Sequence, residues 1–284
     1  MISTNQLRKI WLKEKNEQTK SFFSLNLSIS EIVIYFIALS NMLFFALVIG
    51  SLFVRVNIQD IIELLHSGVF KTFVITFGSL FISVIITLVI GFPTAYAIVR
   101  EKNFLYKIID IISIVPIIIP PSVTGLALLM TFGRRGILGH FFYPMGINLA
   151  FNFISLIIVQ IFIMMPIFIL IVKNGLKSFD RSICESAMLE GAGEKELLFR
   201  IYLPLSARFI LTAVILCSLR AIGEFGATIM FAGNIHGKTQ TITTTIYSLY
   251  QTNITEAISL AVIVILLFLI LLAILNLVHI INNN

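Results

Sequence analysis

Two charged residues lie close together in an apolar stretch near the carboxyl end of the sequence. The segment "LRAIGEFGATIM", residues 219–230, contains Arg220 and Glu224, and no other charged residue occurs between Arg208 and Lys238. Residues four apart share one face of a helix, so this guanidinium and carboxylate can form an ion pair. A charge among apolar residues is costly unless it is paired. Two interpretations follow: a structural pair that fixes helix register, or the lining of a path for a charged solute.

Composition places these charges in a membrane protein. The 284 residues are 58% hydrophobic and 12% charged, whereas a soluble domain has about 25% charged residues. The sequence therefore predicts an all-α integral membrane protein, since spanning helices satisfy their own backbone hydrogen bonds. The net charge of +6 is assigned to cytoplasmic loops, where basic residues are in excess, and not to nucleic-acid binding.

The other reactive residue types do not form a catalytic or metal-binding set. No two of the four histidines have helical ligand spacing, and Cys184 and Cys217 lie far apart. Asp110 has no second catalytic group beside it, and the sequence lacks the glycine-rich phosphate loop with Lys and Ser/Thr. We therefore expect no metal and no directly bound cofactor, and any ATP hydrolysis belongs to another chain.

Six apolar stretches are long enough to cross a bilayer, which takes about 20 residues. They are Ile32–Val54, Phe73–Val99, Ile111–Phe132, Phe153–Val172, Phe209–Ala232 and Ala257–Ile281. The sequence thus divides into a tail, residues 1–31, and a transmembrane domain, residues 32–281, with a long loop at 173–208 between spans four and five. Arg220 and Glu224 both fall in span five.

Basic residues are distributed unequally between the loops on the two sides of these spans. The tail, the loop after span two and the loop of residues 173–208 carry fourteen lysines and arginines, and the remaining loops carry five. Because basic loops stay in the cytoplasm, both termini are predicted to be cytoplasmic, in agreement with an even number of spans.

Span three is rich in proline. Its segment "IISIVPIIIPPSVTGLALLM" contains Pro116, Pro120 and Pro121. Each proline removes a backbone donor and crowds the preceding turn. Such breaks persist at membrane depth where protein or a water-filled cavity surrounds them. Two interpretations stay open: a packed kink, or a broken helix beside a solute path.

The loop of residues 173–208 is predicted to form two short helices. "ESAMLEGA" contains good helix formers and is closed by Gly191 and Gly193, and "EKELLFRI" is a second helical piece before Pro204. Gly191 is expected to adopt a positive φ where the helices bend. An exposed apolar patch flanked by charge is typical of a protein docking site, and the alternative is an amphipathic helix on lipid headgroups.

This loop resembles the ATPase-docking loop in the permease subunits of ABC importers. The pattern there is Glu-Ala-Ala, three residues, Gly, nine residues, Ile, any residue, Leu and Pro. The matching positions are Glu185, Ser186, Ala187, Gly191, Ile201, Leu203 and Pro204, and serine at position 186 is the departure. The resemblance implies six transmembrane helices of ABC importer permease type, with cytoplasmic coupling helices between spans four and five. It also implies an ABC ATPase subunit as the partner that uses ATP.

Two further segments are similar to the molybdate subfamily of these permeases. They are "GEFGATIMFAGNIHGKTQT", residues 223–241, and "PPSVTGLALLMTFGRRGILG", residues 120–139, within a similarity over about residues 73–250. His236 departs from that subfamily, in which proline is frequent at this position. The resemblance implies import of a tetrahedral oxyanion, molybdate above all, with sulfate, thiosulfate or tungstate as alternatives. It also implies a homodimer, an extracytoplasmic solute-binding protein and a place in the cytoplasmic membrane.

The residues around the charged pair and the prolines are the candidates for a translocation path or gate. They are Arg220, Gly223, Glu224, Gly226, Pro120 and Pro121. Gly223, Gly226 and Ala227 are expected to let another helix approach closely. Arg220 would attract a dianion, while Glu224 neutralises Arg220 or caps backbone donors of a neighbouring span. A passive channel would not need the docking loop, and an intramembrane enzyme would need paired catalytic groups that the sequence lacks.

Overall fold

The described part of the chain is built of helices. The computed structural model describes residues 29–283 except residues 67 and 102, and this part contains no strand. The predicted tail, residues 1–31, lies almost wholly outside it. The chain divides after Val54 into two compact units, of which the first contributes one described helix and the second contains both candidate sites.

The helices are numbered here in chain order. They are α1 (Ile29–Phe53), α2 (Ile58–His66), α3 (Phe70–Arg100), α4 (Phe104–Ile118), α5 (Pro121–Phe132), α6 (Gly139–Phe142), α7 (Phe153–Lys177), α8 (Arg181–Leu189), α9 (Glu194–Glu196), α10 (Leu203–Ile222), α11 (Gly226–Phe231), α12 (Ile242–Thr252) and α13 (Ile254–Asn283). A 3₁₀ turn, Tyr143–Met145, follows α6, and a π-helical segment, Leu197–Tyr202, joins α9 to α10.

The predicted all-α membrane fold is confirmed. Within the described residues, five helices are long and apolar enough to cross a membrane, and a bent pair raises the number to six. Helices α1, α3, α7 and α13 occupy predicted spans one, two, four and six with ends shifted by a few residues. The protein is therefore a multi-pass membrane protein.

Span three, predicted over Ile111–Phe132, is formed by two helices, and the first of them begins earlier, at Phe104. Helices α4 and α5 meet at an angle of 116°. Pro120 lies at the break with extended backbone, and Pro121 is the first residue of α5. The missing N–H of Pro121 costs little there, because the first N–H groups of a helix have no intrahelical partner. Of the two interpretations of the prolines, the broken helix holds.

Span five is also interrupted, so its prediction as one helix over Phe209–Ala232 is wrong. Helix α10 ends at Ile222, and the short helix α11 begins only at Gly226. Gly223, Glu224 and Phe225 form the break between them. This break is stable because side chains replace the backbone hydrogen bonds that it removes.

The core of the second unit lies where α3 and α10 pack against α7. A Cβ at Gly91 of α3 would lie 2.6 Å from the Phe168 ring, and one at Gly175 of α7 would lie 2.3 Å from the Phe209 ring. The absence of a side chain at these glycines lets the aromatic rings fill the space between the helices. The same core contains Phe92 and Cys217, which are both buried.

A buried polar network also joins α3 to α7. The amide of Gln160 donates to Ser79 Oγ over 3.0 Å, and Ser83 Oγ donates to Gln160 Oε1 over 2.9 Å. Each side chain in this chain of bonds is thus satisfied, as burial away from water requires. The network holds the two helices in one register.

An ion pair joins α7 to α4 and corrects the predicted position of Lys173. Helix α7 extends to Lys177, so Lys173 lies in a helix and is 4% exposed, although the sequence assigned it to a loop. Its ammonium group donates to Asp110 of α4. Asp110, for which no partner was predicted, thus has Lys173 beside it. A buried ammonium needs such a carboxylate to offset its lost hydration.

Candidate functional site

Arg220 and Glu224 form an ion pair at the break in span five. Arg220 lies in the last turn of α10, and its Nη1 donates to Glu224 Oε2 over 2.7 Å. The Glu224 side chain is 2% exposed and that of Arg220 is 44% exposed. The pairing that the four-residue spacing permits is therefore present. The two partners differ sharply in burial, which the sequence did not indicate.

Glu224 also caps the helix that follows it. Its second carboxylate oxygen accepts from the backbone N–H of Ala227 over 3.0 Å, in the first turn of α11. Its carbonyl oxygen accepts from the hydroxyls of Thr243, at 3.0 Å, and Thr228, at 3.3 Å. Glu224 thus both neutralises Arg220 and caps backbone donors, the two predicted alternatives. The capped helix is α11 of the same segment and not a neighbouring span.

The breaks in spans three and five pack against each other. A Cβ at Gly226 would lie 2.9 Å from Pro121 Cβ and 3.2 Å from the backbone nitrogen of Ser122. A Cβ at Gly125 of α5 would lie 2.9 Å from Cα of Ala227. Small residues therefore let α5 and α11 approach backbone to backbone. The structure brings the predicted path residues Pro121 and Gly226 into direct contact.

Gly223 does not share in this packing. The atoms within 4 Å of a Cβ built there are carbonyl oxygens of its own helix, at 3.5 and 3.8 Å. Within the described part of this chain, no other helix approaches Gly223 closely. Pro120 lies beside Pro121 at the start of α5 and is exposed.

The Arg220 side chain is about half exposed, and this limits what can lie beside the site. A guanidinium on a spanning segment is costly in hydrocarbon and is found facing protein or water-filled space. The start of α5 has the same requirement, because free N–H groups at membrane depth need partners. Ser122, in this first turn, is exposed on the isolated chain. The pair and the α5 terminus therefore require a second protein surface or a water-filled path beside them.

The second candidate site is the loop between α7 and α10. Helix α8 ends in two backbone bonds: Gly191 N–H donates to Met188 O and Ala192 N–H donates to Ala187 O, each over 3.0 Å. This pair of bonds is a Schellman motif, which requires a left-handed residue after the helix. Gly191 has φ +92°, so the predicted positive φ is confirmed.

A capping residue fixes the start of α8. The Asp180 carboxylate accepts from the backbone N–H of Ser182 over 3.0 Å. This hydrogen bond holds the pKa of Asp180 below its usual value. The carboxylate is therefore charged at the helix N-terminus, where the helix dipole favours negative charge.

Three residues of the docking pattern line one cavity. Ala187, Gly191 and Ile201 line a space of about 280 Å³ beside the turn. Leu203 packs against the hydrophobic core, and Pro204 lies in the first turn of α10. Ser186 contributes its carbonyl, which accepts from the N–H of Glu190 over 3.1 Å, and the side chain of Glu185 lies outside the described part.

The sequence predicted a second, separate short helix in this loop, and that prediction is wrong. Helix α9 continues through the π-helical segment into α10 without a break. Pro204 explains the wide turns, because it cannot donate to the carbonyl of Arg200 and its ring would crowd that carbonyl in α-helical geometry. A π-helical insertion relieves this conflict and is frequent at functional sites.

Sequence reasoning missed two residues that hold this loop. Tyr96 and Arg100, at the end of α3, both donate to the Glu194 carboxylate, over 3.0 and 2.9 Å. Arg100 was predicted only as one of several loop cations. The spacing of the two residues by one helical turn is a weak signal, since it does not indicate which distant carboxylate they share.

Spanning helices that break at membrane depth and pack there around a charged pair are characteristic of membrane transport proteins. The chain belongs to the family of binding-protein-dependent transport system inner membrane components, which matches residues 87–281. The resemblance read from the loop pattern is thereby confirmed.

Several relatives are named as permease proteins. The probable transport system permease protein NifC of Clostridium pasteurianum is 39% identical over 209 residues, 73% of each chain. The molybdenum transport system permease protein ModB of Escherichia coli (strain K12) is 33% identical over 172 residues, 60% of this chain and 75% of that one. Sulfate permease 2, chloroplastic, of Chlamydomonas reinhardtii is 34% identical over 181 residues, 62% of this chain and 48% of that one.

Solved structures agree on the fold. A chain of a bacterial ABC transporter involved in the import of alginate gives a TM-score of 0.63 at 16% identity, over 97% of this chain and 98% of that chain. A chain of the MetNI methionine ABC transporter in inward-facing conformations gives 0.58 at 18% identity, over 76% and 95%. The helical arrangement is therefore that of ABC importer permeases.

Proposed function

We propose that this chain is the permease subunit of an ATP-driven importer that moves a tetrahedral oxyanion, molybdate, across the cytoplasmic membrane. The observation that supports this most is the docking loop, in which a Schellman turn brings Ala187, Gly191 and Ile201 to one cavity. Relatives named as molybdenum transport permeases favour molybdate as the cargo. A relative named as a sulfate permease makes sulfate the second candidate.

The docking loop is proposed to bind an ABC ATPase, which hydrolyses ATP, while the chain itself holds no cofactor. Leu189, at the end of α8, is 90% exposed, and the cavity beside it is rimmed by Glu190, Glu196 and Arg200. An apolar side chain exposed beside a charged rim is typical of a protein interface. The alternative is a helix that lies on lipid headgroups.

The path is proposed to run beside Arg220 at the interface with a second copy of the chain. A homodimer would cover the exposed half of Arg220 and the exposed start of α5, which cannot face lipid. Arg220 would attract the dianion by its charge, while Glu224 limits that attraction so that the anion is not held. Selectivity then belongs mainly to an extracytoplasmic solute-binding protein that delivers the anion.

The cargo can be tested by uptake in cells that carry the whole system. Labelled molybdate uptake should be saturable, should disappear when this chain is deleted, and should be inhibited by unlabelled tungstate, which has nearly the same size and charge. Sulfate at the same concentration should compete weakly. If deletion abolishes sulfate uptake and leaves molybdate uptake unchanged, the chain is a sulfate permease.

Both termini are proposed to be cytoplasmic, on the basis of the unequal loop charges. Two exposed lysines give a matched test, Lys195 in the docking loop and Lys238 in the loop before α12. Lys238→Cys should react with an impermeant thiol reagent on intact cells, and Lys195→Cys only after permeabilisation. The background is low because Cys184 and Cys217 are buried. The reverse labelling pattern would show that the orientation is wrong.

A further inference from the structure

Two residues of α3 hold the docking loop at three separate points. Arg100 Nη2 donates to Glu194 Oε1 over 2.9 Å, and Tyr96 Oη donates to Glu194 Oε2 over 3.0 Å. The same guanidinium lies 3.5 Å from Sδ of Met188 in α8. The Tyr96 ring meets the Tyr202 ring edge to face, with centroids 5.0 Å apart. Helix α8, the start of α9 and the π-helical segment are thus all attached to Tyr96 and Arg100, which we name the α3 clamp.

The clamp is a further connection between the loop and the membrane helices. The chain itself joins the loop to α7 through residues 178–180 and to α10 through the π-helical segment, and neither connection reaches α3. The clamp instead joins the loop to the end of a continuous 31-residue helix. That helix is held against α7 by the close contact of Gly91 with Phe168. A displacement of the loop therefore has a direct route to α3.

We propose that Arg100, supported by Tyr96, is the positioning residue that couples movement of the docking loop to α3. This inference rests on the proposed binding of an ATPase to the loop. When the ATPase moves the loop, Glu194 carries Arg100 with it, and the end of α3 moves with Arg100. Without the clamp, the movement reaches the membrane helices only through the two chain connections, to α7 and to α10, and not through α3, so ATP is hydrolysed with less transport.

The clamp should be separable from folding. The Arg100 side chain is 28% exposed and that of Glu194 is 66% exposed. Ion pairs this open to solvent contribute little to stability, so a variant without the pair should still assemble. The variant should then lose transport per ATP hydrolysed, and not folded protein.

The test uses the transporter reconstituted in proteoliposomes with its ATPase and its solute-binding protein. The ratio of molybdate imported to ATP hydrolysed is measured together with co-purification of the ATPase. Arg100→Gln should co-purify normally, and its ratio should fall by about 2- to 30-fold, the range usual for residues that carry coupling between sites. Thr94→Val is the control, since Thr94 lies on the same helix and its hydroxyl bonds only within it, to Ile90 O over 2.7 Å.

Exchange of the two charges tests the contact itself. Arg100→Glu alone and Glu194→Arg alone should each lower the ratio of molybdate imported to ATP hydrolysed. The two changes combined should restore most of that ratio. If Arg100→Gln does not reach the membrane, Tyr96→Phe is measured instead, because it removes one donor to Glu194 and keeps the ring. A normal ratio in Arg100→Gln, or in its Tyr96→Phe substitute, overturns the coupling role. Failure of the wild-type chain to bind the ATPase would instead overturn the proposed function.

Discussion

Arg220→Gln should reduce the amount of folded protein in the membrane more than Glu224→Gln does, and the double replacement should restore much of it. The reason is the unequal burial of the pair, since the Glu224 side chain is 2% exposed and that of Arg220 is 44% exposed. Arg220→Gln leaves a carboxylate enclosed in protein without its cation. The cost of breaking a buried pair on one side is about 3–5 kcal/mol.

Glu224→Gln should be milder. The amide oxygen of glutamine still accepts from Ala227 N–H, and the half-exposed guanidinium can turn to water or to a partner chain. The variant then loses only the charged hydrogen bond from Arg220, which contributes about 1.5–3 kcal/mol to the free energy of unfolding. The double variant has no charge to leave unpaired, so its folding should recover. Its uptake should stay low, because the attraction for the dianion goes with Arg220.

A double-mutant cycle checks this prediction. Membrane yield and thermal stability in detergent are measured for the wild type, both single variants and the double variant, with uptake measured in parallel. A positive coupling energy in stability without recovery of uptake is the expected result. Additive effects on stability, or a Glu224→Gln variant that is the less stable of the two, would show that burial does not govern the pair.

The spans were predictable because each depends on local composition. An apolar run of about 20 residues is a property of the run itself, and it identifies α1, α3, α7 and α13 to within a few residues. The interruption of span five was not predictable in this way. It depends on hydrogen bonds from Ala227 and Thr243 to Glu224, and only folding brings Thr243 there.

In the candidate sites, too, local features were predictable and long-range contacts were not. The left-handed turn at Gly191 was predictable, because a glycine after a run of helix formers commonly ends the helix in a left-handed conformation. The contact of Gly226 with Pro121 and that of Arg100 with Glu194 each join residues more than ninety positions apart. Spacing within one helix does not determine which distant segment a residue meets, so these contacts required the structure.

Gly191→Val should disrupt ATPase binding while leaving the protein in the membrane. A Cβ at Gly191 meets no atom within 4 Å, so the substitution causes no clash. The cost comes from the backbone, since φ is +92° and a β-branched residue is strained there by about 1–3 kcal/mol. The Schellman turn would then open and Ala187 and Ile201 would no longer face one cavity. That strain corresponds to a loss in affinity of about 5- to 150-fold.

Gly193→Val is the matched control, two residues away in the same loop. A Cβ there also meets no atom within 4 Å, and the backbone is extended, with φ −79° and ψ 170°, which valine adopts readily. The two variants therefore add the same side chain to the same exposed turn and differ in backbone strain.

The most direct measurement of the proposed function is co-purification of the ATPase with the wild-type chain, Gly191→Val and Gly193→Val, at equal amounts of each in the membrane. The ATPase should be recovered with the wild type and with Gly193→Val, and largely lost with Gly191→Val. Recovery at the wild-type level with Gly191→Val, or no recovery with the wild type, would contradict the assignment of this loop as the ATPase-docking site.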